Sequence, residues 1–593
     1  MTTHRFSVPD LSRRLLAPIA ALLGLVAGLT VLILPSPAPT TASPTEFSAE
    51  RAMASINRLA DEPHSVLRRE AHDRARDDVI GMFSDLGYTA DVHSDPLFDF
   101  SIPEDKETFD MLSTEQQAAV KDAPAETIVV DVPGKSERTM ALMAHYDSAT
   151  VEADENGHQH ITDGTSPGAS DDGYGVAAIV ETLRALKAEG RQPENSLKIV
   201  ITDAEEIGLV GARNEMQHHR ADYENVDLVL NLEARGTSGP AFMFETSPNN
   251  SAVAGYFLSH VKQPVSSSLL PSLYARMPNG TDMNVLIPKG FTVLNIAAIG
   301  EAEHYHHATD APRYVDHSTL QHYGDQVLGL TRAWAFDGQA PTLTADGDLH
   351  FFQLWRGLTV RYPAAVGTGL GCLAVIAALG AVAMRARSLR WKRVLGTVWG
   401  LTWRSALASA AAGLVQLGAM AMKWAPESGL GPNPLLPWMF AGGALIGVGL
   451  TVRFVVRRWK EGLGQEAVAA VLLLLAAACI PLMVLVPGAA YVLVLPTLAL
   501  ALTALAPQRM RPVIGALAAF IIVVIFAPTI LLIHELLSLG AVWVTVFFAI
   551  VPVAPLALVL LQAGSRRTAS GAGTVSGPAS DDAPVAGPVT ATA

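Results

Sequence analysis

Residues 197–212 read LKIVITDAEEIGLVGA. An apolar β-like run, 198–202, ends in Asp203-Ala204-Glu205-Glu206, and a glycine-punctuated segment, 207–212, then opens toward a helix. Two adjacent carboxylates at the carboxyl end of a buried strand repel one another, and each loses hydration. A divalent cation removes that conflict, because one carboxylate ligates it while the other handles a proton beside it. A solvated loop carrying two acids is the other reading of this stretch alone, and the remainder of the chain decides between them.

The same punctuation recurs on either side. Apolar strands are expected at 127–132, 139–144, 227–232 and 291–297, and helical spacing of apolar residues at 47–60, 66–86 and 317–337. Gly87 supplies the stop for the second of these helices. A glycine-rich loop, 166–175, opens a further helix that runs to about residue 189. Near-continuous apolar strands alternating with helices predict an α/β fold, a mixed, mostly parallel sheet covered by helices. Sites in such sheets form outside the carboxyl ends of the strands. His145, Glu205 with Glu206, Glu233, and the run His304-Tyr305-His306-His307 all stand just past an apolar strand, and Asp171 joins them from the loop at a helix start. Taken singly, these are a loop histidine, a helix cap, a surface acid and a histidine patch. Taken together they are a set of histidine and carboxylate ligands suited to zinc. Asp147, two residues after His145, is placed to hold that ring through its second nitrogen. The glycines around Asp171 let the backbone approach metal ions, so that its carboxylate can bridge two of them.

With 593 residues the chain is too long for one ordinary domain. Half its residues are hydrophobic, its mean hydropathy is +0.29, and the apolar residues are segregated. Charge and apolar residues are mixed to about residue 352, whereas long apolar runs dominate to about 562. The two cysteines, Cys372 and Cys479, fall in those runs, so the soluble part holds neither a disulfide nor a cysteine metal site. A net charge of −14 argues against a nucleic-acid partner. Arg13 and Arg14 precede an apolar run at 15–34, which is longer than the ~7–15-residue core of a cleaved signal peptide. The expectation is an uncleaved anchor after a cytoplasmic N-terminus (1–14), followed by a proline-rich linker (35–46), a soluble domain (47–345) and a membrane domain (360–562). About seven spans are expected there, at 364–384, 402–422, 434–456, 465–486, 488–506, 513–533 and 540–562. Alternation places the basic loops 385–393, 457–462, 508–511 and 565–567 inside and the soluble domain outside, in agreement with the positive-inside rule. The tail, 563–593, is rich in Ala, Gly, Ser, Thr and Pro and is expected to be disordered and cytoplasmic.

Five motifs in fixed order carry a resemblance. They are His-x-Asp-Ser at 145–148, Pro-Gly-Ala-x-Asp-Asp-Gly-x-Gly at 167–175, Asp-x-Glu-Glu-x-Gly-Leu-x-Gly at 203–211, Asn-Leu-Glu-Ala-x-Gly at 231–236 and Tyr-His-x-x-x-Asp at 305–310. In this order they resemble the M28 family of di-zinc metallopeptidases over about residues 50–337. The Asn231-Leu232-Glu233-Ala234 form and the trailing spans look most like its membrane-bound branch, the endoplasmic-reticulum metallopeptidase and vacuolar membrane protease group.

The resemblance implies a zinc aminopeptidase-like fold and two zinc ions. His145 and Glu233 would bind one, Glu206 and His306 the other, and Asp171 both. Glu205 would be the general base and Tyr305 a hydrogen-bond donor to the developing oxyanion, with Asp147 supporting His145. Many soluble members have Asp where Glu233 stands. His307 stands where Thr is common, and it is the alternative to His306 as ligand. The implied function is a membrane-bound zinc aminopeptidase acting on a peptide or protein and held in lipid. Abundant Ala and Gly, read with the basic loops, set the separate expectation of a bacterial plasma membrane with the peptidase domain outside it. A single-zinc cyclising or acyl-transfer enzyme of the same fold, and a catalytically inactive receptor or transport protein, are the alternatives. The sequence leaves oligomeric state open.

Overall fold

A computed structural model describes residues 10–153, 159–277, 280–421, 436–537 and 542–565. The tail beyond 565, the outward connection at 423–434 and the end of the one at 534–540, from 538 on, lie outside the described residues.

The soluble part is built on a seven-stranded sheet. In chain order its strands are β1 (Asp91–Pro96), β2 (Pro124–Val132) and β3 (Ser136–His145), then, after a two-stranded ribbon of β4 (Val151–Ala153) and β5 (Gln159–Ile161), β6 (Asn195–Thr202), β7 (Val226–Ala234), β8 (Ser238–Thr246) and β9 (Val293–Gly300). The spatial order is β1-β2-β6-β3-β7-β9-β8. β6, β3, β7 and β9 run parallel, and antiparallel strands close both edges. The expected mixed α/β sheet is therefore present, with its parallel strands in the centre.

Why the central strands read as unbroken apolar runs is visible in β3. Met140, Leu142 and Ala144 pack into one core with the helices Ala49–Leu59, Gly173–Ala188 and His317–Phe336. Ala141 and Met143, on the opposite face, pack with Ala212 and Met216 of the helix Val210–His218. With both faces covered, alternation disappears from the sequence. The helices follow their signals. Ser48 caps Ala49–Leu59 by accepting from the Arg51 amide, and that helix buries Ala49, Ala52, Met53, Ile56 and Leu59 at helical spacing. Gly87, at φ 78°, terminates Arg69–Asp85.

The first segment is a helix, Asp10–Leu29, with a final turn of 3-10 helix at Thr30–Leu32. It packs along the helix Arg511–Leu537, and Gly24 and Gly28 make the approach close: a Cβ on Gly24 would lie 2.8 Å from the Phe520 carbonyl oxygen. Among the described residues, five helical segments, at Leu15–Leu32, Ala364–Ala383, Gly464–Leu485, Arg511–Glu535 and Trp543–Gly564, are long and apolar enough to cross a membrane. Between them lie Trp391–Ala421, Leu436–Lys460 and the shorter Tyr491–Leu505. The last expected span is two helices, Val542–Ile550 and Val553–Gly564, interrupted beside Pro552.

A hairpin of β10 (Leu349–Trp355) and β11 (Leu358–Pro363) joins the two halves. Phe351 enters the core beneath the sheet, while Phe352 enters the core of the membrane helices. Val31 and Leu532 from the membrane helices share a cluster with Phe242, Phe244, Tyr274 and Ile299 of the soluble part. Ser268 Oγ donates to the Gly488 carbonyl oxygen at 2.7 Å.

Candidate metal centre

The carboxyl ends of β3, β6 and β7 and the loop after β9 converge on one cleft. His145 is the last residue of β3. Its Nδ1 lies 3.0 Å from the Asp147 carbonyl oxygen and 3.5 Å from Asp147 Oδ1, which turns Nε2 toward Asp171 Oδ1 at 3.3 Å. Asp171 precedes the helix Gly173–Ala188, which Asp172 caps by accepting from the Gly175 amide at 2.9 Å. The buried Asp310 fixes this loop: its carboxylate accepts from the Ser170 amide (2.8 Å), the Ser170 hydroxyl (2.6 Å) and the Asp171 amide (3.2 Å). Asp171 Oδ2 faces His306 Nε2 at 3.3 Å, and the same nitrogen lies 3.0 Å from Glu206 Oε1. Glu233 is held near the end of β7. Its amide donates to Tyr323 Oη at 2.8 Å, and Asn231 Nδ2 donates to its Oε1 at 3.0 Å.

Two sets of donors result, His145 with Asp171 and Glu233, and Asp171 with Glu206 and His306. Within each set, one donor atom per residue lies within 4.8 Å of the others. Asp171 belongs to both. His145, Glu205 and Glu206 satisfy the same distance. Of the three histidines after β9, His306 is the one brought to Asp171 and Glu206. His304 stacks on Tyr314 with ring centroids 4.6 Å apart, and among the described residues neither it nor His307 enters a donor set.

The donors fit a cation. Glu206 Oε1 and His306 Nε2 are buried and 3.0 Å apart, yet neither makes a hydrogen bond. Two buried donor atoms of ligand type, this close and each without a hydrogen-bond partner, can both be satisfied by one metal ion. The electrostatics agree. Burial pushes the carboxyls of Glu205 and Glu233 well above the ordinary range, with His145 opposing. Burial also raises Glu206 to about 7, against the pull of His306. Burial would lower His306, but Glu206 and Asp171 outweigh it and carry the ring to about 10. Burial would likewise raise Asp171, but the rings of His145 and His306 facing its two oxygens hold it well below the usual carboxylate range. Protons and imidazolium balance the acids here; divalent cations would supply the same positive charge without them.

Glu205 and Glu206 sit in a tight turn between Ala204 (φ 57°) and Leu209 (φ 58°), and His306 is also left-handed (φ 58°). Such conformations cost on the order of 1–3 kcal/mol each for residues other than glycine. The fully buried Asp147 holds the turn: Oδ1 accepts from the Glu205 amide at 3.0 Å and Oδ2 from the Glu206 amide at 3.2 Å. The sequence reading gave Asp147 the His145 ring alone. In the structure its carbonyl oxygen is the nearer partner of that ring, and its carboxylate ties β3 to the two glutamates. Tyr305 lines the cleft and stacks on His306 with centroids 3.7 Å apart. Burial pushes its hydroxyl well above its ordinary value, so it stays protonated and can donate. The cleft encloses about 460 Å³, with Phe244, Tyr274, Met277, Ala297 and Ile299 forming an apolar wall.

Three supports escaped sequence reasoning. Asp310 served there only as a spacing marker. Asp282 accepts from Thr202 Oγ1 at 2.6 Å at the end of β6, and burial raises it to about 6. Asp203 accepts from the Glu126 amide at 2.7 Å and lies 3.0 Å from His72 Nε2, locking the strand end that precedes Glu205. The position of Asp203 just after an apolar strand was the available signal for it. Asp282 had none, since it lies in a polar loop.

Residues 127–331 match the model of Peptidase family M28. Endoplasmic reticulum metallopeptidase 1 of Mus musculus is 27% identical over 221 residues, 36% of this chain and 24% of that protein. The vacuolar membrane protease of Lodderomyces elongisporus is 28% identical over 202 residues, 33% of this chain and 19% of that protein. The matching segment thus spans a quarter or less of either relative. Among solved structures, Porphyromonas gingivalis glutaminyl cyclase aligns with 18% identity and a TM-score of 0.36 over 48% of this chain and 98% of that one. A zinc aminopeptidase from Bacillus subtilis aligns with 14% identity and a TM-score of 0.38 over 51% and 98%. With its apolar helices, the chain is a membrane protein that carries a peptidase family M28 domain, similar in sequence to the endoplasmic reticulum metallopeptidase 1 and vacuolar membrane protease group.

Proposed function

We propose that this chain is a membrane-bound zinc metallopeptidase, an aminopeptidase acting on peptides or proteins, in which Asp171 is shared by two zinc ions. His145 and Glu233 complete one site, and Glu206 and His306 the other. The observation that carries this reading is Asp171 standing between His145 and His306, with one carboxylate oxygen toward each ring. Zinc, when bound, polarises the scissile carbonyl and lowers the pKa of the attacking water.

The chain's own residues do the rest. The Glu205 carboxylate takes a proton from the attacking water and passes it to the departing amine nitrogen, as the new C–O bond forms and the C–N bond breaks. Tyr305 Oη donates to the carbonyl oxygen as charge develops there. Asp147 keeps Glu205 and Glu206 at their posts through the two amides it accepts from. The apolar wall of Phe244, Tyr274, Met277 and Ile299 suits an apolar substrate side chain.

The basic residues at the helix ends, Arg385, Arg390, Arg457, Arg458 and Arg511, support an orientation with the peptidase domain outside the cytoplasm. A bacterial plasma membrane is proposed from the Ala- and Gly-rich composition alone; the sequence relatives above are eukaryotic and lend it no support.

The test uses the full chain in detergent, loaded with zinc, on aminoacyl chromogenic substrates and their N-blocked counterparts. Cleavage restricted to free N-termini is the expected result. One zinc in the cleft, with cyclisation of N-terminal glutamine and no hydrolysis, would instead favour the cyclising enzyme. A cleft that binds no zinc would favour the inactive receptor or transport reading.

A further inference from the structure

A second group of metal-ligating side chains lies outside the cleft. His93 is on the edge strand β1, and Glu215 is on the helix Val210–His218, whose last turn leads into His219. Glu215 and His219 are four residues apart and so share one face of the chain. His93 Nδ1 lies 2.8 Å from Glu215 Oε1, and the His93 and His219 rings stack with centroids 3.8 Å apart and planes 14° apart. One donor atom from each of the three lies within 4.8 Å of the others.

The group is braced from outside. Tyr223 Oη donates to Glu215 Oε2 at 2.8 Å, leaving Oε1 on the histidine side, and Asp95 Oδ2 lies 2.9 Å from His219 Nε2. Such outer partners orient ligating carboxylates and histidines. As metal ligands the two imidazoles would bind in their neutral form, and the carboxylates of Glu215 and Asp95 would supply the formal charge that a divalent cation offsets. Glu215 has no exposed side-chain surface, whereas His93 and His219 retain 18% and 26%, so an ion can reach the site.

We propose that His93, Glu215 and His219, braced by Asp95 and Tyr223, form a structural binding site for a zinc-class divalent cation that pins β1 to the helix emerging from the Glu205-Glu206 turn. Histidine nitrogen with carboxylate oxygen selects zinc and its neighbours over calcium or magnesium. Leu209, which immediately precedes that helix, lines the catalytic cleft, so the ion would anchor the far end of an element whose near end shapes the site. This inference does not depend on the proposed peptidase activity.

The experiment counts zinc per chain by mass spectrometry on the full-length protein in detergent, after zinc loading and desalting. Wild type is compared with H93Q/H219Q and with H145Q/H306Q. H93Q/H219Q should hold one zinc fewer than wild type. H145Q/H306Q should keep one zinc, and adding zinc should raise its melting temperature. Equal zinc in H93Q/H219Q and wild type would overturn the proposal, as would H145Q/H306Q holding none. If H93Q/H219Q does not fold, H145Q/H306Q decides alone. If the cleft itself binds no zinc, wild type and H145Q/H306Q should both hold one zinc and H93Q/H219Q none, which separates failure of the catalytic reading from failure of this one.

Discussion

Replacing Asp147 with alanine should break the centre without touching a proposed ligand. The carboxylate is wholly buried and accepts from the amides of Glu205 and Glu206. In Asp147→Ala both N–H groups lose their acceptor, at about 1–3 kcal/mol for each buried unsatisfied donor, or roughly 2–6 kcal/mol together. A domain of this size shifts its melting temperature by roughly 2–4 °C per kcal/mol, so a fall of at least about 4 °C is expected by scanning fluorimetry of the full chain. Asp147→Asn retains one acceptor oxygen and should lose about half as much. Because Ala204 and Leu209 hold left-handed conformations that the turn must maintain, releasing it displaces both glutamates. A displacement near 1 Å costs about 100-fold in kcat/KM. The predicted order in both melting temperature and kcat/KM is wild type, then Asn, then Ala. Asp147→Ala with wild-type melting and turnover would refute the reasoning.

Asp310→Ala removes the acceptor for three donors on Ser170 and Asp171 and should weaken zinc binding in the cleft by about 10–100-fold, read by competition with a chromogenic chelator. Tyr305→Phe should lower kcat by about 100-fold or more while leaving zinc content unchanged, since an oxyanion donor is lost but no ligand. Phe244→Ala should reduce kcat/KM for large apolar N-terminal residues more than for alanine, because Phe244 belongs to the cleft's apolar wall. Chelated protein should lose stability with rising pH. His306, raised from 6.5 to about 10, stabilises the fold below about 6.5, and that contribution disappears as pH climbs through about 10. Glu206, raised from 4.5 to about 7, adds a penalty that grows from about pH 4.5 to 7. Both slopes have the same sign, so melting temperature should fall across this window, and zinc should flatten the fall by displacing the protons.

The central strands and the proposed ligands were legible because one cause produced both signals. A strand covered on two faces must be apolar throughout, and the first polar residue after it marks the crevice, as at His145 and Glu205. Strand β1 was not legible, because DVHSDP is a polar edge strand with an exposed face. β8 was hidden by Gly239 and Pro240 near its start, which read as a turn. Asp310 and Asp282 act through contacts 140 and 80 residues away in sequence, which no local pattern encodes. The separation of soluble and membrane halves by composition also concealed their contact: Val31 and Leu532 reach the cluster that includes the cleft residues Phe244 and Tyr274. That contact gives the membrane helices a physical part in shaping the cleft.

The account turns on the division of labour between two adjacent glutamates, and Glu205→Gln in the full-length protein tests it most directly. Glutamine preserves the amide that Asp147 holds and the volume of the side chain, but it cannot accept the proton. The predicted result is a zinc content equal to wild type with kcat reduced by about 100- to 10,000-fold. Undiminished turnover, or loss of zinc in step with activity, would contradict it.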